Sequence, residues 1–294
     1  MRIIGSMKIT GILLMDFLVM YYILGIKISL LIVTGIMLYG LLGEYFALLK
    51  DGAIPMKYMN DYEKQKLIRV HSCLIDDVKR VSGKNISKLK IHIISSDNMN
   101  AFAYGINNVA VTRGTLNNCD DTILCAVLGH EVSHILGMDA VVNRLVVANV
   151  TLAMIMLSIG SFIAASFMWI LFALLCAIGV CRGFFSIFFF HGSKNLVKAI
   201  FMTAQRIILF LYQIVMGAVS RRFEFRADRY SCKLGYALQL KYFLSRFVVN
   251  EENKPKTLTE IIYDSHPPIY KRIRRIEKYQ SVKKEMKVAN MEKS

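Results

Sequence analysis

Asp120-Asp121-Thr122-Ile123-Leu124-Cys125-Ala126-Val127-Leu128-Gly129-His130-Glu131-Val132-Ser133-His134-Ile135-Leu136-Gly137 is an apolar run broken by two histidines and a glutamate. Asp120 or Asp121 serves as an N-cap and Gly137 as a stop, so the stretch predicts a helix. Residues four apart on a helix stand nearly above one another. His130 and His134 can therefore grip one metal ion while Glu131 reaches a water on it. The bland alternative is a buried helix with two ordinary histidines, and a third ligand elsewhere in the chain decides between them.

Outside this helix the chain is unusually apolar. Of its 294 residues 55% are hydrophobic, and the mean hydropathy is +0.43, too high for a wholly soluble protein. Residues 9–26 and 28–49, separated by Lys27, are each about long enough to cross a bilayer and predict a transmembrane hairpin. The first stretch is longer than a signal-peptide core and lacks a small-residue cleavage site, so it is expected to be retained as an anchor. The net charge of +16 does not point to nucleic acid. Lys50, Lys57, Lys64, Lys66, Arg69, Lys79 and Arg80 follow the second stretch, and Lys271, Arg272, Arg274, Arg275 and Lys278 lie in the tail. By the positive-inside rule both regions face the cytoplasm, most of these charges being solvated and some touching anionic head groups. The six cysteines form no CxxC pair, which fits a reducing compartment and structural thiols.

Between residues 60 and 82, Leu67, Val70, Leu74, Val78 and Val81 recur at helical spacing among charges. Alternation at Leu89, Ile91 and Ile93 predicts a strand. Residues 101–104 and 109–112 flank Gly105-Ile106-Asn107-Asn108 as in a hairpin. His92 alternates to the polar side of its strand and His71 sits on a charged helix face, so both are expected at the surface. Residues 145–190 and 196–219 are again apolar. If a ligand beyond Val219 shares a metal with His130 and His134, the chain between must cross the bilayer an even number of times. That favours spans near 145–165 and 200–219, with 167–190 re-entrant, interfacial or part of an extended helix. Further on, 220–235 predicts a helix, 251–259 a polar loop around Pro255, and 269–279 a basic helix after Pro267-Pro268. The expected organisation is a transmembrane hairpin (1–50), a subdomain bearing the motif helix (51–143), further membrane segments (144–219) and a terminal region (220–294).

A third histidine six residues after His134 would mark one large class of zinc hydrolases, but position 140 is alanine. The strongest other candidate is Glu224, in Ser220-Arg221-Arg222-Phe223-Glu224-Phe225-Arg226-Ala227-Asp228. Two histidines and one glutamate leave a zinc ion an open position, as a catalytic site needs. Asp228, one helical turn later, could orient a ligating imidazole. Spacing alone equally allows an acidic pair that balances Arg221, Arg222 and Arg226 on an exposed helix. The nearness of the block to the end of a span favours the ligand.

His130-Glu131-Val132-Ser133-His134, the Ser220-Arg221 to Glu224 to Asp228 block, Asn100-Ala101-Phe102-Ala103, and His266-Pro267-Pro268 with Arg272 together resemble the HtpX-type membrane zinc endopeptidases, relatives of the type I CAAX prenyl proteases. The resemblance spans nearly the whole chain. Phe225 stands where such proteins commonly have tyrosine, and 145–190 is long. The resemblance implies one zinc per chain on His130, His134 and Glu224, with Glu131 as general base and Asp228 behind a ligand. It makes His266 and Arg272 oxyanion stabilisers, although His266 could simply be a turn residue before two prolines. Asn100, Ala101, Phe102 and Ala103 would form an edge strand that pairs with an extended substrate, the alternative being a merely packed hairpin strand. The expected protein is mainly α, with polytopic membrane helices and a cytoplasmic α+β zincin-like metalloprotease domain containing a small sheet. It would sit in the cell membrane, bind the bilayer and extended protein substrates but no nucleic acid, and cleave membrane or misfolded proteins in quality control. The rival readings are a regulatory protease that cuts a repressor, a chaperone-like protein with a relic zinc site, and a transporter whose path Arg182 and Arg206 would mark.

Overall fold

The computed structural model describes residues 2–181, 183–248 and 266–291. The protein is mainly α-helical, with one small mixed sheet. Two apolar helices, α1 (Arg2–Leu24) and α2 (Ile26–Lys50), open the chain. They are joined at Gly25, whose φ of 77° only glycine adopts without strain. Among the described residues, four helices are long and apolar enough to cross a membrane: Gly5–Leu24, Ile26–Lys50, Asp139–Ala177 and Phe190–Leu234. This is a multi-pass membrane protein.

By internal contacts the chain forms two compact units, Met1–Leu145 with Met216–Ser294, and Val146–Val215. In the first, strand β1 (Ile54–Pro55) is followed by helix α3 (Asp61–Ser82), capped by the Asn60 side chain on the Glu63 N–H at 2.8 Å and ended by Gly83 at φ 64°. Strands β2 (Lys90–Ile94), β3 (Ala101–Tyr104) and β4 (Asn108–Thr112) come next, then the short helix α4 (Arg113–Asn118) and the motif helix α5 (Asp121–Gly137). The sheet order is β1-β2-β4-β3: β2 runs parallel to β4, and the other pairs are antiparallel. β3 is thus an outer strand. Leu67, Val70, Leu74 and Val78 of α3 pack with Leu124, Leu128 and Ile135 of α5 against Ile91, Ile93, Val109 and Val111 of the sheet. Each such side chain contributes about 1.5–3 kcal/mol by leaving water. Val81, the fifth residue of the α3 stripe, is exposed.

Helices α6 (Asp139–Ala177) and α7 (Phe184–Leu234) have 39 and 51 residues. At 1.5 Å per residue they are roughly 58 and 76 Å long, about twice a 30 Å hydrocarbon core or more. Residues 167–177 continue α6 and 184–190 begin α7, so the long apolar stretch extends two helices. Within the second unit, the Gln205 amide donates to Ser158 Oγ at 2.9 Å, and Trp169 and Phe172 pack on Phe190. Helices α8 (Ala237–Ser245) and α9 (Ile269–Met291) complete the chain. The expected polar loop at 251–259 lies outside the described residues.

Two surface assignments need correction, and one lysine is an exception among the basic residues. His92 is buried, because α2 and the loop after it cover that face of β2, and its Nε2 bonds Asn108 Oδ1 at 3.0 Å. His71 is half-buried and hydrogen-bonded to the Ile86 backbone, and burial lowers its pKa. Lys66 is not a solvated charge. Its ammonium is buried and donates to the Leu116 and Cys119 carbonyls, both at 2.7 Å, satisfying the end of α4. No disulfide links the six cysteines.

Candidate metal centre

Asp120 caps α5 by accepting the Ile123 N–H at 2.8 Å, and the helix ends where Met138, not Gly137, takes the left-handed conformation at φ 55°. Between these points His130 and His134 stand one turn apart with their Nε2 atoms 3.2 Å from each other. Glu224, on α7, brings Oε2 to 3.4 Å from His130 Nε2 and Oε1 to 3.7 Å from His134 Nε2. These three residues form the group of donors able to hold a metal ion among the described residues.

Three observations test whether zinc fits. Tetrahedral zinc with bonds of 2.0–2.1 Å separates its ligand atoms by about 3.3 Å, close to the distances here. Both imidazoles are also turned the right way. His130 Nδ1 lies 3.0 Å from Asp228 Oδ1 and His134 Nδ1 lies 2.9 Å from Asp139 Oδ2. With Nδ1–H donating to a carboxylate, each ring presents its Nε2 lone pair to the same point. The third observation is charge. Glu131, Glu224, Asp139 and Asp228 are all buried, and the guanidiniums that meet them are Arg272 and Arg226. Four carboxylates against two cations leave two negative charges, which a dication balances. The same field acts on protons. Burial pushes the His130 pKa down, but Asp228 and Glu224 outweigh it and raise the value to about 10, so a metal competes with a proton there.

Asp228 stands beside the His130 ring. Asp139, its counterpart on His134, was not anticipated. Its signal is faint in sequence: an acid five residues after His134, past the stop, returns to the ring only because the chain reverses at Met138 into α6. Arg226 then pairs with Asp139. Gly137 gives that pair its room, since a Cβ there would lie 2.5 Å from Arg226 Nη2 and 2.8 Å from Asp139 Oδ1. Asp139→Ala is expected to weaken metal binding about 10–100-fold. Competition for zinc against a coloured chelator measures it, and unchanged affinity would mean that His134 is oriented by something else.

Arg272 is turned toward two carboxylates. Its Nε and Nη2 grip Asp228 at 2.9 and 2.6 Å, and Nη1 reaches Glu224 Oε2 at 3.0 Å. Burial disfavours its charge, but Asp228 and Glu224 raise the guanidinium pKa, so it stays cationic. A fork on two carboxylates ties Asp228 and Glu224 together. His266 differs: its side chain is 68% exposed, with Nδ1 3.2 Å from Glu224 Oε1.

A cleft passes the donors. One cavity, about 380 Å³, has an apolar wall of Val127, Leu240, Phe243, Leu244 and Phe247 and reaches Asn100 and Ala101. Another, about 400 Å³, reaches Ala101, Phe102, Ala103 and Tyr104. Glu131, Glu224 and His266 border both. The strand β3 thus runs along the cleft past the motif helix, while Ala101 and Ala103 also pack on the core.

Comparison with known proteins gives the family of the chain. Residues 63–280 match the family described as Peptidase family M48. The chain is 30% identical over 247 residues to the "Protease HtpX homolog" of Bacillus subtilis, covering 76% of this chain and 72% of that protein. It is 29% identical over 224 residues to the "Protease HtpX" of Hahella chejuensis, covering 69% and 71%. Among solved structures, that of S. mikatae Ste24p aligns with a TM-score of 0.45 at 21% identity, over 91% of this chain and 62% of that one.

Proposed function

This chain belongs to peptidase family M48, and on that premise we propose that it is a zinc-dependent membrane endopeptidase that hydrolyses membrane or misfolded proteins in quality control. The observation that carries this is the convergence of His130 Nε2, His134 Nε2 and a Glu224 carboxylate oxygen at zinc-ligand spacing, with Glu131 beside them in a cleft. Two nitrogens and one carboxylate suit zinc over harder cations. When bound, zinc supplies Lewis acidity, easing deprotonation of a water and polarising the scissile carbonyl.

The chain's own groups do the rest. Glu131 takes the proton of the attacking water and passes it to the leaving amine. Asp228 and Asp139 hold the two imidazoles, and Arg272 holds Asp228 and Glu224. His266, exposed and bordering both cavities, donates to the developing oxyanion. An extended substrate pairs with the outer edge of β3 through main-chain hydrogen bonds, placing one side chain against the apolar wall. The Lys and Arg after α2 and in the tail support a cytoplasmic active site in the cell membrane. The partners on this reading are the bilayer and unfolded or loop segments of proteins, not nucleic acid.

Purified full-length protein in detergent is expected to cut an unfolded membrane-protein segment, to stop when zinc is removed by a chelator, and to recover with about one zinc per chain. Mapped product ends are expected to carry a large apolar residue beside the cut bond. Cleavage that continues undiminished in the metal-stripped chain would sink the proposal.

A further inference from the structure

Glu44 is an acid in an apolar helix. It lies on α2 and is buried, on the face that also carries Gly40, Gly43 and Leu48. A carboxylate is costly there unless it has a partner and a use. The Arg144 guanidinium, which donates to the Gly40 carbonyl on the same face, adds a nearby opposite charge. The hydrogen-bond partner of Glu44 is the β3–β4 turn, where Oε2 accepts the Ile106 N–H at 2.9 Å. The approach is close enough to demand glycine next door, because Gly105 stands at φ 60° and a Cβ on it would lie 1.6 Å from that oxygen. About two turns further along, just past the end of α2, the Asp51 carboxylate accepts the Tyr104 hydroxyl, and Leu48 packs with Tyr104 and Ala110.

These contacts hold one end of β3. The other end is held within the domain, where Asn100 N–H donates to Thr112 Oγ1 at 3.0 Å and Thr115 Oγ1 donates to Asn100 C=O at 2.8 Å. From Ala101 to Tyr104 the strand covers roughly 10 Å. Asp51 and Tyr104 also line the same cavity as Glu131 and His134, so the anchor is part of the cleft wall.

We infer that Glu44 is a positioning residue, through which the membrane hairpin presets β3 as the template on which substrate pairs. The inference rests on the β3 role proposed above. A strand fixed at both ends loses little freedom when a substrate joins it, so the anchor lowers the cost of binding. Among the described residues, no hydrogen bond or ion pair joins Glu44 to the reacting groups on α5 and α7. Loosening the anchor therefore acts on substrate pairing and register, not on the chemical step.

The test uses the full-length, zinc-loaded protein in detergent and one peptide substrate that wild type cleaves. Glu44→Leu is expected to raise KM about tenfold with kcat within about twofold and zinc content unchanged. Its product ends should spread over neighbouring bonds, since a loosened edge specifies register poorly. Glu44→Gln keeps an acceptor oxygen and should restore most of the wild-type KM. Gly105→Ala, which pushes the turn off an intact Glu44, should reproduce the defect. If Glu44→Leu does not fold, Gly105→Ala and Tyr104→Phe decide by the same split. An unchanged KM with unshifted product ends in these variants overturns the inference, as does a parallel fall of kcat and zinc content. Absence of cleavage by wild type would instead overturn the protease reading beneath it.

Discussion

Glu131→Gln is expected to bind zinc as tightly as wild type, within a few fold, and to lose turnover by about a thousandfold or more. The two results separate because Glu131 is not among the converging donors. Those are His130, His134 and Glu224, and the Glu131 carboxylate instead borders both cavities of the cleft. Glutamine matches glutamate in size and keeps a hydrogen-bonding end, so the buried helix has no reason to shift. What it cannot do is accept a proton. General-base catalysis contributes about 10²–10⁴-fold, and in the proposed mechanism the same group also delivers the proton to the amine, so the loss should fall toward the upper end. Both proteins should be purified identically, their zinc measured, and single-turnover cleavage followed. Equal rates would mean that a contaminant or another residue acts as the base. A variant that loses zinc as well would show Glu131 to be a structural member of the site.

What the sequence makes legible follows from how local each feature is. The motif helix, its Asp120 cap, the amphipathic α3 and the β3–β4 hairpin are written in short-range spacing, and they stand where that spacing puts them. Glu224 lies ninety residues from His134, beyond any spacing rule, and reaches the motif helix through the fold. Asp139 was hidden by the reversal at Met138, a left-handed residue that composition does not mark. His92 misled because alternation describes a sheet with one wet face, whereas the β2 pattern is buried at Ile91, His92 and Ile93 alike. The apolar stretch after Leu145 was ambiguous for a related reason. Hydropathy reports what lipid tolerates and is silent on where a helix ends, so α6 and α7 overrun the thickness of a bilayer. For Arg272 the sequence gives the charge but not the carboxylates of Asp228 and Glu224 that it meets.

Glu224→Ala is expected to weaken zinc binding by at least about a hundredfold, more than the loss of a supporting carboxylate. Removing this ligand leaves two imidazoles, and it also leaves Arg272 Nη1 without the oxygen it meets at 3.0 Å. Charge makes the loss larger. The buried site carries two uncompensated negative charges, and the substitution halves them, so both the bond and the field that favours a dication decline. Glu224→Gln separates the two effects: it keeps an oxygen near His130 Nε2 while removing the charge, and should fall between wild type and alanine. Zinc affinity by chelator competition is the deciding readout, because activity at saturating zinc would mask a binding defect. Affinity in Glu224→Ala equal to wild type would remove Glu224 from the ligand set. Asp228 would not then replace it, because its carboxylate faces His130 Nδ1, on the far side of the ring from the converging nitrogens. A surviving site would have to recruit His266, whose Nδ1 already stands 3.2 Å from Glu224 Oε1. The double variant with His266→Ala would expose that substitution by a further fall in affinity.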